Sequence, residues 1–114
     1  RLPWLNDIKM VINKCVKEKE NAIIACSALK ESYRKLLMKG YNKTILVYLK
    51  GDLDTIKKRL ENRKNHFIDP DILTSQFAIL EEPSNAIYVD MSNDICTIIE
   101  YIKDKLRVCR SSLS

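Results

Sequence analysis

Apolar residues along this chain alternate between helical spacing and short unbroken runs. From Trp4 to Glu20, Leu5, Ile8, Ile12, Cys15 and Val16 fall on one helical face, behind a Pro3 suited to a first helical turn. Asn21 breaks that pattern, and Ala22-Ile-Ile-Ala-Cys-Ser27 is an apolar run that predicts a buried parallel strand. A helix is predicted from about Leu29 to Lys39, stopped by Gly40 in the left-handed position, then a second buried strand over Thr44 to Leu49. Asp52 is a candidate N-cap for a helix with Leu53, Ile56 and Leu60 inward, running to about Arg63. Asp69-Pro70 starts another, with Ile72, Leu73, Phe77 and Leu80 as its stripe until Pro83. Ala86 to Asp90 is the third strand. Ser92 or Asn93 is expected to cap a last helix with the stripe Ile95, Ile98, Ile99, Ile102 and Leu106, and a frayed tail is expected over 110–114.

Helices alternating with strands predict an α/β fold: a three-layer arrangement of a parallel sheet joined by right-handed crossovers, with helices on both faces. In such folds ligands sit beyond the carboxyl ends of the strands, here Cys26-Ser27, Lys50-Gly51-Asp52 and Asp90. The segment Cys26 to Arg34 therefore leads from a strand end into a helix bearing two cations. Lys30 and Arg34, four apart, would stand on nearly the same face near that mouth and suit an anionic small molecule. They would equally serve as surface cations on an amphipathic helix whose core side is Tyr33 and Leu36.

At 114 residues the chain is one domain at most, expected over 1–109. With 46% hydrophobic and 31% charged residues, and no internal repeat or Ser/Gly/Pro tract, neither disorder nor low complexity is indicated. The net charge of +5 is spread along the chain, and only Lys57, Lys58, Arg59, Arg63 and Lys64 approach a basic stripe, so no nucleic-acid partner is expected. The four cysteines, Cys15, Cys26, Cys96 and Cys109, form no Cys-x-x-Cys pair and lie far from the single histidine, His66, which argues against a zinc site. No apolar run approaches the roughly 20 residues of a membrane span, no signal peptide opens the chain, and reduced cysteines in the cytoplasm are the default reading.

Other candidates carry two readings each. Arg59 and Arg63 share a helix face, followed by Lys64 and His66 where apolar periodicity lapses; arginine forks suit a polyphosphate, and a solvated helix face ending in a loop is the alternative. Gln76, inside an apolar stripe, either meets a ligand or ties down a backbone carbonyl. His66 either donates to a phosphate or sugar oxygen or is a loop residue beside Phe67. Trp4 is read as a core or staple residue, Asp52 as a cap and Asp90 as a strand-end residue, with contact to a ligand as the alternative for either aspartate. The two glycines, Gly40 and Gly51, cannot form a G-x-x-x-x-G-K-[ST] loop, so the chain carries no Walker A motif.

Taken together, Arg1-Leu-Pro-Trp-Leu5, Cys26-Ser-Ala-Leu-Lys-Glu-Ser-Tyr-Arg34, Leu49-Lys-Gly-Asp52, Arg59-Leu-Glu-Asn-Arg-Lys-Asn-His-Phe67 and Ser75-Gln-Phe-Ala-Ile-Leu-Glu-Glu-Pro83 resemble bacterial and animal gluconokinases, in the same order and over nearly the whole chain. That resemblance implies a P-loop kinase fold related to shikimate and adenylate kinases, and transfer of the ATP γ-phosphate to the 6-hydroxyl of D-gluconate, giving 6-phosphogluconate, with Mg2+. It implies that Arg59 lies against adenine, that Arg63 and Lys64 hold ATP, and that a lid spans about 64–69. Arg1, Ser27, Lys30 and Arg34 would face gluconate, joined by His66 and Gln76, and a homodimer would be usual.

In the family a first strand, the P-loop and an early substrate-binding segment precede the residues matching Arg1 to Leu5. The chain is thus expected to be the carboxyl-terminal two thirds of such an enzyme, N-terminally incomplete, with no catalytic or metal-binding residue of its own. The other readings are a different small P-loop kinase, such as a shikimate kinase, against which the Cys26 to Arg34 block argues, or a noncatalytic binding remnant. Because P-loop enzymes draw much of their phosphoryl-transfer catalysis from that loop, its lysine and magnesium, the purified 114-residue chain is expected to form no 6-phosphogluconate from ATP and D-gluconate. A coupled assay giving product in proportion to this polypeptide would overturn the expectation.

Overall fold

A computed structural model of the chain describes residues 3–40, 44–62 and 69–113, without the side chains of residues 70 and 109–113. The chain is described as two compact units, Arg1–Thr44 with Leu80–Glu82, and Ile45–Ile79 with Pro83–Ser114.

The first unit holds α1 (Pro3–Glu18) packed on α2 (Glu31–Met38). Its core is Leu5, Ala28 and Leu37, with Ile8, Ile12 and Tyr33 packed against it, and Leu5 is wholly excluded from solvent. Trp4, expected in the core, is instead 38% exposed, and its ring meets the Tyr33 ring edge-on with centroids 5.9 Å apart. α1 ends two residues earlier than the apolar pattern suggests. Lys19 takes the left-handed conformation (φ 57°), and the Lys19 and Glu20 N–H groups donate back to the Val16 and Cys15 carbonyls, closing a Schellman turn. α2 stops as expected, with Gly40 at φ 86°.

The strand predicted over 22–27 is absent. Those residues form no strand, and Ile23 is 102% exposed. A run of apolar residues predicts burial, but a strand exists only where a neighbour completes its ladder. The sheet of the described residues has two members and does not include this segment.

The second unit is built on those two strands, β1 (Val47–Lys50) and β2 (Ile87–Asp90), parallel and in the register Val47↔Ile87 to Lys50↔Asp90. The pairing is extended by Ile87 N–H to Leu46 O at 2.9 Å and Met91 N–H to Lys50 O at 2.8 Å. Tyr48 and Tyr88, opposite each other, pack edge to face with centroids 5.1 Å apart, and the Tyr88 hydroxyl donates to the Pro83 carbonyl. Val89 is the buried residue of the pair, 2% exposed. Immediately after β1, Gly51 is closely approached: a Cβ there would lie 3.1 Å from Met91 Cβ and 3.2 Å from Ile56 Cγ1, so a side chain would need those neighbours to shift slightly.

Helices α3 (Leu53–Glu61), α4 (Pro70–Ile79) and α5 (Ile95–Leu113) complete this unit, α3 lying against α4 and α5 against β2. Asp52 caps α3 as expected, its Oδ1 accepting from Thr55 N–H at 2.7 Å. Asp69 heads α4, with Oδ1 accepting from Asp71 N–H at 2.9 Å. α5 is capped by Asp94, through Thr97 N–H at 3.0 Å, in place of the expected Ser92 or Asn93. It continues through 110–113, where a frayed tail was expected, since no glycine or proline interrupts it. Along α5, Ile98, Ile102 and Leu106 are half-buried, whereas Ile95 and Ile99 remain exposed.

Two predictions follow from this packing. Leu5→Ala should cost about 2 to 5 kcal/mol in urea unfolding, while Ile23→Ser should change stability by no more than about 0.5 kcal/mol; equal losses at both sites would contradict the exposure of Ile23. The second concerns acid. The Thr55 N–H and hydroxyl hold the Asp52 carboxyl below its ordinary value, and the Thr97 hydroxyl and N–H do the same for Asp94. Their stabilisation is therefore complete above the unfolded aspartate value near ~3.9 and is lost as pH falls through the lower folded values. Asp52→Ala and Asp94→Ala should each flatten the fall in stability between about pH 4 and about pH 2, and acid denaturation curves parallel to the unmodified chain would disprove the assignment.

Candidate functional site

Ser27 and Lys30 lie at the bend leading into α2, and both are exposed. Between them Ala28 is buried, with φ at 22°, a conformation L-residues rarely take. Lys30 is the extended N-cap residue of α2 (φ −101°, ψ 143°), and its side chain makes no capping bond. Its backbone carbonyl accepts from Tyr33 N–H at 3.0 Å and Arg34 N–H at 3.2 Å, and its Nζ lies 5.8 Å from the Tyr33 ring centroid. Lys30 thus presents an ammonium group to solvent from a fixed backbone.

Arg34 behaves differently from the expectation that it shares a solvent-facing side with Lys30. It is only 5% exposed. Nη1 donates to Ala28 O at 2.8 Å, while Nη2 donates to Glu81 O at 2.6 Å and to Glu31 Oε2 at 2.9 Å. The Nε–H is buried with no partner among the described residues. Because Lys30 is a cap residue rather than a helical one, the two cations do not share a helix face. Arg34 is neither a surface cation nor an open anion receptor; its guanidinium binds the turn from inside.

Glu81 was not singled out by its sequence, yet it completes this arrangement. Its N–H donates to Leu29 O at 2.8 Å, its Oε1 accepts from Glu31 N–H at 2.8 Å, and its carbonyl receives Arg34. The sequence signals were its place in the Ser75–Pro83 block and the acidic pair Glu81-Glu82 before Pro83, where the helical pattern ends.

In the second unit, half-buried Arg59 on α3 donates through Nη2 to Asn93 O at 2.5 Å, which fastens the guanidinium to the turn following β2. The same turn is closed by Asp90, whose Oδ1 accepts from the Ser92 N–H at 2.9 Å and hydroxyl at 2.8 Å. Those two bonds hold the Asp90 carboxyl below its ordinary value, with the like charge of Asp52 working against them. Gln76 is half-buried on α4. Arg1, Arg63, Lys64 and His66, with residues 64–68 of the expected lid, lie outside the described residues.

The donors present match only part of what ATP and Mg2+ require. Arg59 supplies a planar cation of the kind that can lie against a nucleotide base. The 114 residues contain no Gly-rich phosphate cradle, and the described residues place no group of three or more His, Cys, Asp or Glu side chains to hold a metal. No helix among the described residues is long and apolar enough to cross a membrane.

Comparison with known proteins agrees with this geometry. The shikimate kinase family model matches residues 6–108. The chain is 33% identical to the thermosensitive gluconokinase of Escherichia coli K12, over 98% of this chain and 62% of that protein. It is 37% identical to a probable gluconokinase of Dictyostelium discoideum (94% of this chain, 60% of that one) and 34% identical to one of Mus musculus (94% and 69%). The crystal structure of a gluconokinase from Sinorhizobium meliloti 1021 superposes with a TM-score of 0.82 at 27% identity, covering 99% of this chain and 65% of that one. The chain spans about three fifths of the length of the first two relatives. With its parallel β1–β2 pair, its strand-end turn and a structural match of this extent, the chain has the α/β P-loop kinase fold and belongs to the gluconokinase family.

Proposed function

We propose that this chain forms the gluconate-binding part of an ATP-dependent gluconokinase, with Ser27 and Lys30 as its substrate contacts. The observation that carries this reading is the exposed pair itself, held on a turn whose buried side is fixed by Arg34. Gluconate offers one carboxylate and a row of hydroxyls. The Lys30 ammonium suits the carboxylate as a charge-assisted donor, and the Ser27 hydroxyl, both donor and acceptor, suits a sugar hydroxyl. Arg34 serves this reading as a positioning residue.

In the reaction proposed for the whole enzyme, the gluconate 6-hydroxyl oxygen attacks the γ-phosphorus, the bond to the ADP oxygen breaks, and the hydroxyl proton leaves. The residues described bind and orient the acceptor; the phosphate cradle is not among them. Arg59, Arg63 and Lys64 are proposed for ATP, with Mg2+ as the companion ion, and Arg1, His66 and Gln76 as further substrate contacts. A lid near 64–69, a homodimer and a cytoplasmic setting belong to the same proposal, with small molecules rather than nucleic acid or membrane as partners.

Calorimetric titration with D-gluconate should show saturable binding to the chain, and Lys30→Met should weaken it about tenfold or more through loss of a charged hydrogen bond. Shikimate should not bind. Binding of shikimate in place of gluconate would transfer the chain to the shikimate-kinase reading, and an unchanged affinity in the Lys30 variant would remove Lys30 from the site.

A further inference from the structure

We infer that Glu81 is a positioning residue for the gluconate-side turn, setting substrate affinity through the backbone on either side of Lys30 without facing the ligand. This deepens, and rests on, the gluconate reading of Ser27 and Lys30.

Glu81 reaches across 50 residues of sequence to make bonds on both sides of Lys30. Its N–H holds the carbonyl of Leu29, immediately before Lys30, at 2.8 Å. Its carboxylate Oε1 holds the N–H of Glu31, immediately after Lys30, also at 2.8 Å. Its own carbonyl is held by Arg34, the guanidinium that also grips Ala28 O. The lysine's backbone is thereby fixed on both sides by one residue, and the remaining freedom lies in the lysine side chain.

The side-chain bond also fills a vacancy. α2 has eight residues, and its N-cap lysine provides no side-chain acceptor, so a first-turn N–H needs a partner from elsewhere. The Glu81 carboxylate meets that need and places negative charge at the positive end of the helix. Occupying the Glu31 N–H also withholds it from a ligand carboxylate. On this segment a bound sugar acid then meets the Lys30 ammonium rather than the Glu31 N–H, so Glu81 bears on where the carboxylate sits as well as on how firmly Lys30 is aimed.

Two substitutions separate these contributions. Glu81→Ala removes the side-chain acceptor and leaves the two backbone bonds available; Glu81→Gln keeps an acceptor oxygen without the charge. Amide hydrogen exchange at Glu31, without ligand, reads the clamp, and gluconate calorimetry reads its effect on the site. Glu81→Ala should lose protection at Glu31 and bind gluconate about tenfold more weakly, and Glu81→Gln should restore both to within about threefold of the unmodified chain. Loss of protection with unchanged gluconate affinity would overturn the positioning role and leave the gluconate site standing. So would equal weakening by Ala and Gln where Gln restores protection. If the unmodified chain binds no gluconate while Glu81→Ala still loses protection, the clamp is real, but the gluconate reading and the role proposed for Glu81 in it both fall.

Discussion

A guanidinium removed from water is tolerated only where its donors find partners, and much of the first unit is arranged around meeting that demand for Arg34. Its partners come from three places: the Ala28 carbonyl in the turn, the Glu31 carboxylate one helical turn away, and the Glu81 carbonyl in a remote segment. Pairing the two terminal nitrogens of one cation, Nε–H being left without a partner among the described residues, therefore brings the turn, the start of α2 and the Leu80–Glu82 segment into a single arrangement. The helix gains by it, because two turns in isolation lie well below the length at which a helix persists in water. Both its ends are held from outside, by Glu81 at Glu31 N–H and by the Lys9 ammonium at Leu36 O, 2.6 Å away. Each charge has the sign that the helix dipole favours at that end.

The same dependence explains what could and could not be read from the sequence. Helical periodicity located the five helices of the described residues, and Asp52 and Gly40 declared their roles through local chemistry that needs no distant partner. The parallel pairing of β1 with β2 followed from apolar runs separated by helices. The predicted strand at 22–27 did not form, because apolarity speaks to burial whereas a ladder depends on a neighbour. Lys19 closes α1 in a left-handed conformation that glycine or asparagine would have advertised, so the helix end was misplaced by two residues. Arg34 was identified as functional and given the wrong direction. Spacing on a helix wheel shows which residues share a face only if both are helical, and Lys30 is not.

The second unit shows a more local economy. Asp52, Asp90 and Asp94 all accept hydrogen bonds from residues two or three positions on, so the turns after β1 and β2 are stabilised from within. Arg59 adds one longer link, to Asn93 O. Nothing in the sequence shows that link, since resemblance selected Arg59 for its expected ligand and was silent about its anchor. An arginine with one donor already engaged has less freedom to lose when its planar face or remaining donors meet a ligand, which suits a group expected to lie flat against a base.

Ala28 shows why the strain in the first unit lies where it does. A glycine would adopt φ 22° with less steric cost, but it would remove the methyl group that packs in the core with Leu5 and Leu37. Alanine keeps that contact and accepts the strained backbone, which persists because its carbonyl is held by Arg34 while its side chain is held by the core. The two residues that remain exposed around it, Ser27 and Lys30, are the polar ones. Rigidity inside and polar groups outside are what the proposed role of this segment, meeting a flexible, hydroxyl-rich acid, would require, because order already present in the protein is entropy that binding need not spend.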